Sequence, residues 1–180
     1  MNSNMLAAQS CSLAISSVHK IKELQKQYKD LRNIVLIIKK LLAKHNLHKP
    51  YSGGLNSYSI VLMTSTFLEK FGINHCSALS QNLTEFLKFF GNYFDPATHG
   101  LDGTRFFTLL PEQREKNEMI YIRDFQNSAN NTSRSAFRIY EIKKVFSVAY
   151  KTIMEDLQRF KQISDPAERM KINVISSLIQ

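Results

Sequence analysis

The chain has 180 residues, 43% of them hydrophobic and 22% charged, an ordinary balance for one globular domain or one domain with a small lobe. Lysine and arginine outnumber aspartate and glutamate 24 to 15, so the formal net charge is +9. This surplus favours an anionic partner such as nucleic acid, a nucleotide or an acidic membrane. The two cysteines exclude a disulfide framework and a four-cysteine zinc site.

Helical periodicity recurs along the chain and predicts a mainly α fold. The predicted helices share apolar residues at three- and four-residue spacings. They are a weaker first helix over Ala14–Tyr28, then Leu31–Leu42, Tyr58–Leu68, Leu83–Phe94 and Ile139–Leu157, and a short last helix over Met170–Leu178. Asn56 or Ser57 can cap the helix that carries Tyr58. Short strands are predicted around Phe106–Leu110 and Met119–Ile122.

Loops are predicted where glycine, proline, asparagine and charged residues cluster. These segments are Lys49–Asn56, Asp95–Thr104, Pro111–Asn117 and Asn127–Ser133. Asp102-Gly103 is a turn signal within the second of them. The sequence shows no internal repeat.

The positive charge is concentrated near the start of the chain. Residues 18–49 contain nine lysines or arginines and two acids, which gives this segment a charge of +7. A solvated helix face is the ordinary explanation of such a run, and a surface for RNA is the alternative. Lys39 differs from the others, because it follows the apolar run Ile34–Ile38 near the buried edge of its helix. A lysine in that position needs an anionic partner.

Several kinds of chemistry have no motif in this sequence. It contains no Asp-x-Asp pair, no P-loop, no dinucleotide-binding glycine fingerprint and no Gly-x-Ser-x-Gly elbow. His45 and His48 lack a third ligand, so we predict neither a metal site nor a catalytic residue. No apolar run approaches the ~20 residues of a membrane-spanning helix, and residues 1–17 lack a secretory signal. We therefore expect an intracellular protein with no membrane partner.

Two stretches carry more specific chemistry, and the first lies at the start of the helix with Tyr58. Gly53 and Gly54 precede Ser57 and Tyr58. Backbone N–H groups and the Ser57 hydroxyl could face an anion there, and the Tyr58 ring could stack on a base. The alternative is a glycine turn between two packed helices with Tyr58 in the core.

The second stretch places Asp124, Asn130 and Arg134 ahead of the helix that begins near Ile139. A carboxylate, an amide and a guanidinium can contact base edges and phosphates, and an asparagine amide is the natural bidentate partner of adenine. The alternative is an asparagine-rich turn with a serine cap.

Together these stretches resemble the noncanonical poly(A) RNA polymerases and terminal uridylyltransferases of the polymerase-β type, in their helical central domain and PAP-associated domain. The family segment Gly-Gly-(Ile/Leu)-x-Ser-Tyr-Ser-(Leu/Ile)-x-Leu-Met is matched here by Gly53–Met63, after a helix with Ile38-Lys39. The family also has Ile-x-Asp-Pro, a polar stretch and Asn-x-x-x-Arg-Ser. The matching residues here are Ile122, Asp124, Asn130, Arg134 and Ser135, with Phe125 in place of the proline.

The resemblance implies roles for particular residues. Lys39 would contact the triphosphate of ATP or UTP, Ser57 would bind a phosphate, and Tyr58 would stack on the base. Asp124 and Asn130 would line the base edge. The residue at the position of Asn130 is a histidine in many uridylyltransferases, so asparagine favours ATP. Gly53 and Gly54 belong to the implied nucleotide site, and Arg134 would hold the recognition loop or contact phosphate or RNA. For RNA, the basic surplus near the start of the chain, and not the resemblance, indicates Lys20, Lys22, Lys26 and Lys29.

The resemblance also identifies what the sequence does not contain. The family has a Gly-Ser motif and three metal-binding aspartates in a catalytic domain that precedes this region, and residues 1–180 match only the helical part. We therefore expect Mg²⁺ or Mn²⁺ to act only with that catalytic domain, and the chain alone to be inactive. Expected partners are a nucleotide, RNA, and a separate catalytic domain or RNA-processing complex, in the nucleus or cytoplasm. The alternative function is a non-catalytic helical protein that binds RNA or a protein partner.

Overall fold

A computed structural model describes residues 17–72, 78–114, 119–164 and 178. Residues 17–27 are helical and are named α1. The elements that follow are α2 (Leu31–Lys44), a 3-10 turn (Pro50–Ser52), α3 (Ser57–Phe71), α4 (Ala78–Lys88), a π-helical turn (Phe89–Tyr93), β1 (His99–Leu101), β2 (Phe106–Thr108), α5 (Pro111–Arg114) and α6 (Ile139–Gln162). The fold is mainly α, which confirms the prediction from periodicity.

Helix α3 lies at the centre of the core, and every residue of Ser59–Leu68 is buried. Helices α2 and α4 and strand β1 pack against it. The sequence pattern predicts one apolar stripe, yet polar residues on the other faces are buried as well. Their hydroxyls bond the helix backbone: Thr64 donates to the Ile60 carbonyl at 2.8 Å and Thr66 to the Leu62 carbonyl at 2.9 Å. These bonds satisfy polar groups that would otherwise be costly to bury.

Phenylalanine rings join three helices in the core. Phe67 of α3 lies 5.6 Å from Phe86 of α4 between ring centroids, and Phe86 lies 5.8 Å from Phe146 of α6. Phe90 in the π-helical turn lies 4.7 Å from Phe86. Tilted and edge-on pairs at these distances add to the stabilisation from burial. The predicted helices around these residues are confirmed.

The start of α3 agrees with the cap predicted from the sequence. Asn56 is the N-cap of α3, and its side chain accepts the Ser59 N–H at 2.7 Å. Pro111–Arg114 forms a short helix where a loop is predicted, so that prediction is wrong over these residues. Ala14 and most of Met170–Leu178 lie outside the described residues, although Leu178 is buried.

The two strands form an antiparallel hairpin in which Gly100 is opposite Phe107. Strand β2 confirms the strand predicted at Phe106–Leu110 over its first three residues. Strand β1 lies within Asp95–Thr104, where the prediction of a continuous loop is wrong. Glycine disfavours strands, but a Cβ on Gly100 would lie 2.7 Å from the Phe107 ring, so the pairing needs a glycine.

The strand predicted at Met119–Ile122 is wrong, because only Ile122 forms a bridge, an isolated parallel one to Leu101. A side chain takes the place of a neighbouring strand. Asn131 accepts the Ile122 N–H at 3.0 Å and donates to the Ile120 carbonyl at 2.8 Å. The backbone is therefore extended, and the Asn131 side chain satisfies the edge that does not face Leu101 of β1.

Candidate nucleotide site

Three of the predicted site residues meet at one carboxylate. The Tyr58 hydroxyl, in the first turn of α3, donates to Oδ1 of Asp124 at 3.2 Å. The Asn130 amide donates from Nδ2 to Oδ2 of the same carboxylate at 3.2 Å. All three side chains are half-buried. A ring, a carboxylate and an amide thus lie together at the surface of the core, and we name them the base cluster.

The segment from Asp124 to Asn130 closes on itself. The Asp124 N–H donates to the Asn130 carbonyl at 3.1 Å, and the Asn130 N–H donates to the Asn127 carbonyl at 2.8 Å. Oδ1 of Asp124 also accepts the Gln126 N–H at 3.0 Å, the local bond typical of an aspartate turn. The carboxylate is therefore oriented by its own loop as well as by Tyr58.

The end of this loop is bonded to the start of α3. The Asn56 amide donates to the Thr132 carbonyl at 2.8 Å, and the hydroxyls of Ser59 and Thr132 lie 3.1 Å apart. Sequence reasoning missed Asn56 and Thr132 as site-forming residues. An N-cap signal at Asn56 was available, but its long-range bond had no sequence signal.

The pKa of Tyr58 is raised to about 12. Burial is the largest cause, and the negative charge of Asp124 and the hydrogen bond to it act in the same direction. Hydrogen bonds with the Phe125 N–H and the Ser17 hydroxyl offset part of this rise. The phenol is consequently neutral near pH 7 and acts as a donor to Asp124. Its ring face is the part that can serve a ligand.

A cavity of about 390 Å³ lies between α2 and the first turn of α3, and its lining includes Ser57, the residue before Tyr58. The lining combines two lysines, a hydroxyl and a histidine with apolar side chains: Leu36, Lys39, Lys40, Ala43, His48, Leu55, Ser57 and Ile60. The structure thus brings Lys39 and Ser57 to one cavity, whose positive charge suits an anion. Nδ1 of His48 is buried there without a hydrogen-bond partner among the described residues, and the sequence did not single it out for this cavity.

Gly53 and Gly54 form a turn, and their N–H groups are not exposed for an anion. The Gly53 N–H donates to the Pro50 carbonyl and the Gly54 N–H to the Lys49 carbonyl, both at 3.0 Å. These donors are not offered to an anion, which corrects that interpretation and favours the turn. A Cβ on Gly54 would lie 2.2 Å from the Leu47 carbonyl oxygen, so a side chain would not fit.

The predicted RNA-binding residues differ in their exposure and contacts. Lys22, Lys26 and Lys29 are exposed. Lys20 is half-buried, and it pairs with Glu23 at 3.2 Å and lies 5.7 Å from the Phe125 ring centroid. Arg134 is exposed and does not join the base cluster.

Residues 17–72, 78–114 and 119–164 contain neither a cluster of metal-ligating side chains nor a membrane-spanning helix. No group of three histidine, cysteine, aspartate or glutamate side chains there could hold a metal ion. These residues therefore do not fit the catalytic Mg²⁺ or Mn²⁺ of the family, and we derive no metal-dependent step from them. No helix in the same ranges is long and apolar enough to cross a bilayer.

Comparisons with known proteins give the relationship that the motifs imply. No family model matches the chain. Poly(A) RNA polymerase protein 2 of Saccharomyces cerevisiae is 32% identical over 134 residues, which are 67% of this chain and 23% of that protein. The inactive non-canonical poly(A) RNA polymerase protein Trf4-2 of Drosophila melanogaster is 24% identical over 78% of this chain and 38% of its own length. The chain is homologous to the noncanonical poly(A) RNA polymerases.

Solved structures show the same fold in noncanonical poly(A) and poly(U) polymerases. The polymerase core of TRAMP, an RNA surveillance complex, superposes with a TM-score of 0.78 at 24% identity, over 91% of this chain and 55% of that one. A histidine-to-asparagine variant of the Cid1 poly(U) polymerase bound to MgATP gives a TM-score of 0.58 at 18% identity, over 87% and 56%. The chain therefore spans little more than half of these structures, and under two fifths of the two relatives.

Proposed function

We propose that this chain is the nucleotide- and RNA-binding part of a template-independent RNA 3′-nucleotidyltransferase that prefers ATP to UTP. The observation that supports it best is the base cluster, in which Tyr58, Asp124 and Asn130 are joined by two hydrogen bonds of 3.2 Å. The cavity with Lys39 includes Ser57, the residue that precedes Tyr58 in α3. A flat ring, a hydrogen-bonding edge and a cationic cavity are the parts that a base and its triphosphate require.

The preference for ATP follows from the way Asp124 orients the Asn130 amide. A carboxylate only accepts, so it holds one N–H of Asn130 toward itself. The second N–H of the amide can then donate to a ring nitrogen of adenine, and the amide oxygen can accept from adenine N6. Uracil has an acceptor, O4, in place of the N6 donor, and a donor, N3–H, in place of the ring-nitrogen acceptor. Binding uracil would therefore require the amide to turn, which would bring its oxygen against the Asp124 carboxylate.

Base choice tests the proposal through the ratio of ATP to UTP dissociation constants, measured by calorimetric titration. Asn130→His is expected to shift this ratio about tenfold toward UTP, the effect of one or two net hydrogen bonds. Tyr58→Ala is the control, because every base offers a face to a ring, so both nucleotides should weaken by similar factors. An unchanged ratio in Asn130→His together with a changed ratio in Tyr58→Ala would show that the base-reading residue is assigned wrongly.

For RNA, we propose the exposed lysines Lys22, Lys26 and Lys29 as the contact surface. Their triple substitution by alanine should weaken binding of a single-stranded RNA and reduce the slope of log K against log salt by up to ~2, since each phosphate contact contributes about 0.7. The matched control replaces three exposed lysines of α6, Lys144, Lys151 and Lys161. Equal slopes for the two triple variants would assign the first three lysines to ordinary solvated surface. Lys20→Ala should have the smaller effect, because Lys20 already contacts Glu23 and Phe125.

Catalysis would then depend on a metal-binding domain supplied within a longer protein or by a partner in an RNA-processing complex. The Drosophila relative, which is described as inactive, favours a second candidate, a non-catalytic protein that binds RNA or a partner. RNA extension after addition of a catalytic domain of the family separates the two. Extension that requires Lys39 supports the first candidate, and RNA binding without extension supports the second. The location in nucleus or cytoplasm stays a prediction.

A further inference from the structure

The turn of the β1–β2 hairpin is anchored to the same helix that carries Tyr58. The Ser65 hydroxyl of α3, fully buried, donates to the Gly103 carbonyl at 2.8 Å. Ser65 lies seven residues after Tyr58, so the anchor is about 10 Å further along the helix axis. The hairpin turn and the Tyr58 hydroxyl are thus fixed to one rigid element.

Gly103 provides the surface on which Phe125 lies. Its φ of +90° is a conformation that glycine adopts readily and other residues avoid. A Cβ at this position would lie 2.3 Å from Cζ of Phe125 and 3.0 Å from Cδ2 of Leu62. The ring therefore occupies the space that a side chain at position 103 would need. Lys20 contacts the ring as well, with its Nζ 5.7 Å from the centroid.

The hairpin also holds the residues just before Asp124. The Leu101 N–H donates to the Tyr121 carbonyl at 3.1 Å, and the Arg123 N–H donates to the Leu101 carbonyl at 2.8 Å. Asp124 consequently lies between a backbone fixed by β1 and a ring fixed on Gly103. Its carboxylate is the group that Tyr58 and Asn130 share.

We propose that Phe125 is a positioning residue: seated on Gly103, it holds the Asp124 carboxylate at the Tyr58 hydroxyl and thereby sets the affinity for the nucleotide base. The inference rests on the proposed nucleotide site. It assigns a purpose to the departure from the family pattern, in which a proline stands at this position. A proline would restrict the backbone here, whereas Phe125 restrains it through side-chain packing.

A double-mutant cycle with Asp124 tests whether Phe125 acts through that carboxylate. Phe125→Ala is expected to weaken ATP binding about tenfold, comparable to the loss of one hydrogen bond to a charged group. In an Asp124→Asn background the same substitution should change ATP affinity less than twofold. Binding of inorganic tripolyphosphate should be unchanged, because the cavity with Lys39 takes the phosphates. Phe71→Ala, which removes a half-exposed ring at the end of α3, is the control and should leave ATP affinity unchanged.

A second readout needs no nucleotide. Ring-labelled tyrosine NMR, assigned with Tyr58→Phe, should show the Tyr58 phenol still protonated near pH 11 in the unmodified chain and ionising at lower pH in Phe125→Ala, because the contribution of the Asp124 carboxylate is lost. Phe125→Leu, which keeps an apolar contact on Gly103, should restore most of the unmodified titration and is the variant to use if Phe125→Ala does not fold.

The outcomes separate this inference from the function on which it rests. Absence of ATP binding by the unmodified chain would overturn the nucleotide site, while the Tyr58 titration would still decide the positioning contact. An unchanged Tyr58 titration in both Phe125 variants, or equal ATP losses in the two backgrounds of the cycle, would overturn the positioning role of Phe125.

Discussion

Replacing Asn131 with alanine is expected to lower the free energy of unfolding by about 3 kcal/mol, because two buried backbone donors would lose their side-chain acceptor and the Ile120 carbonyl would lose one of its two side-chain donors. Asn131 is 6% exposed. Its oxygen accepts the N–H groups of Ile122 and Ser133 at 3.0 Å each, and its amide donates to the Ile120 carbonyl at 2.8 Å. Alanine would leave the N–H groups of Ile122 and Ser133 without this acceptor, while the Ile120 carbonyl would keep the bond from the Ser133 hydroxyl at 3.2 Å.

Urea unfolding of the chain, followed by circular dichroism, measures this effect. Asn127→Ala is the matched control, because Asn127 lies in the same loop but is exposed, and its side chain accepts only the Ala129 N–H, at 3.1 Å, in the described structure. The control should change the free energy of unfolding by less than about 0.5 kcal/mol. If Asn131→Ala were as stable as Asn127→Ala, the Asn131 bonds would not support the 120–123 backbone in solution.

We also expect Asn131→Ala to disturb the base cluster. Asn131 follows Asn130 directly, and the Arg123–Asn131 bridge closes the loop that contains Asp124. A variant that still folds should therefore bind ATP more weakly, whereas Asn127→Ala should not. The measurement is the ATP titration used for base choice, carried out below the unfolding transition of each variant.

The helices could be predicted because their information is local. Apolar spacings define α2, α3, α4 and α6, and Asn56 caps α3 as its side chain suggests. Strand β1 could not be predicted, because its stability comes from pairing with Phe106–Thr108 and from its bonds to the 121–123 backbone. A three-residue strand with a glycine at its centre has no periodicity to detect.

The arrangement of the candidate site, like strand β1, depends on contacts between residues that are distant in sequence. No periodicity relates Tyr58 to Asp124, which are 66 residues apart, so their meeting follows only from the family resemblance or from the fold. Asn131 shows the limit of composition: an asparagine in a polar run is expected at the surface, yet it is buried because it replaces strand pairing. Paired glycines likewise indicated an anion-binding loop, but their N–H groups are used within the turn.

Lys39→Ala is expected to weaken ATP binding about 30-fold, since a hydrogen-bonded contact between an ammonium group and a phosphate is worth about 2 kcal/mol. Lys39 is half-buried at the cavity that Ser57 also lines. Adenosine carries no phosphate, so its weaker binding through the base cluster should be unchanged. Lys39→Arg should retain most of the ATP affinity, because it keeps the positive charge.

The control for charge alone is Lys44→Ala, on the same helix but outside the lining of this cavity. It removes the same unit charge, and its effect should be small and should vanish at high salt, because an exposed distant charge is screened. The effect of Lys39→Ala should persist between about 50 and 300 mM salt, because the Lys39 ammonium group would lie within about one Debye length of the phosphates, where salt screens little. Equal losses in Lys39→Ala and Lys44→Ala would mean that ATP responds only to the net positive charge of α2. The nucleotide would then have to bind at a site other than the cavity between α2 and the first turn of α3.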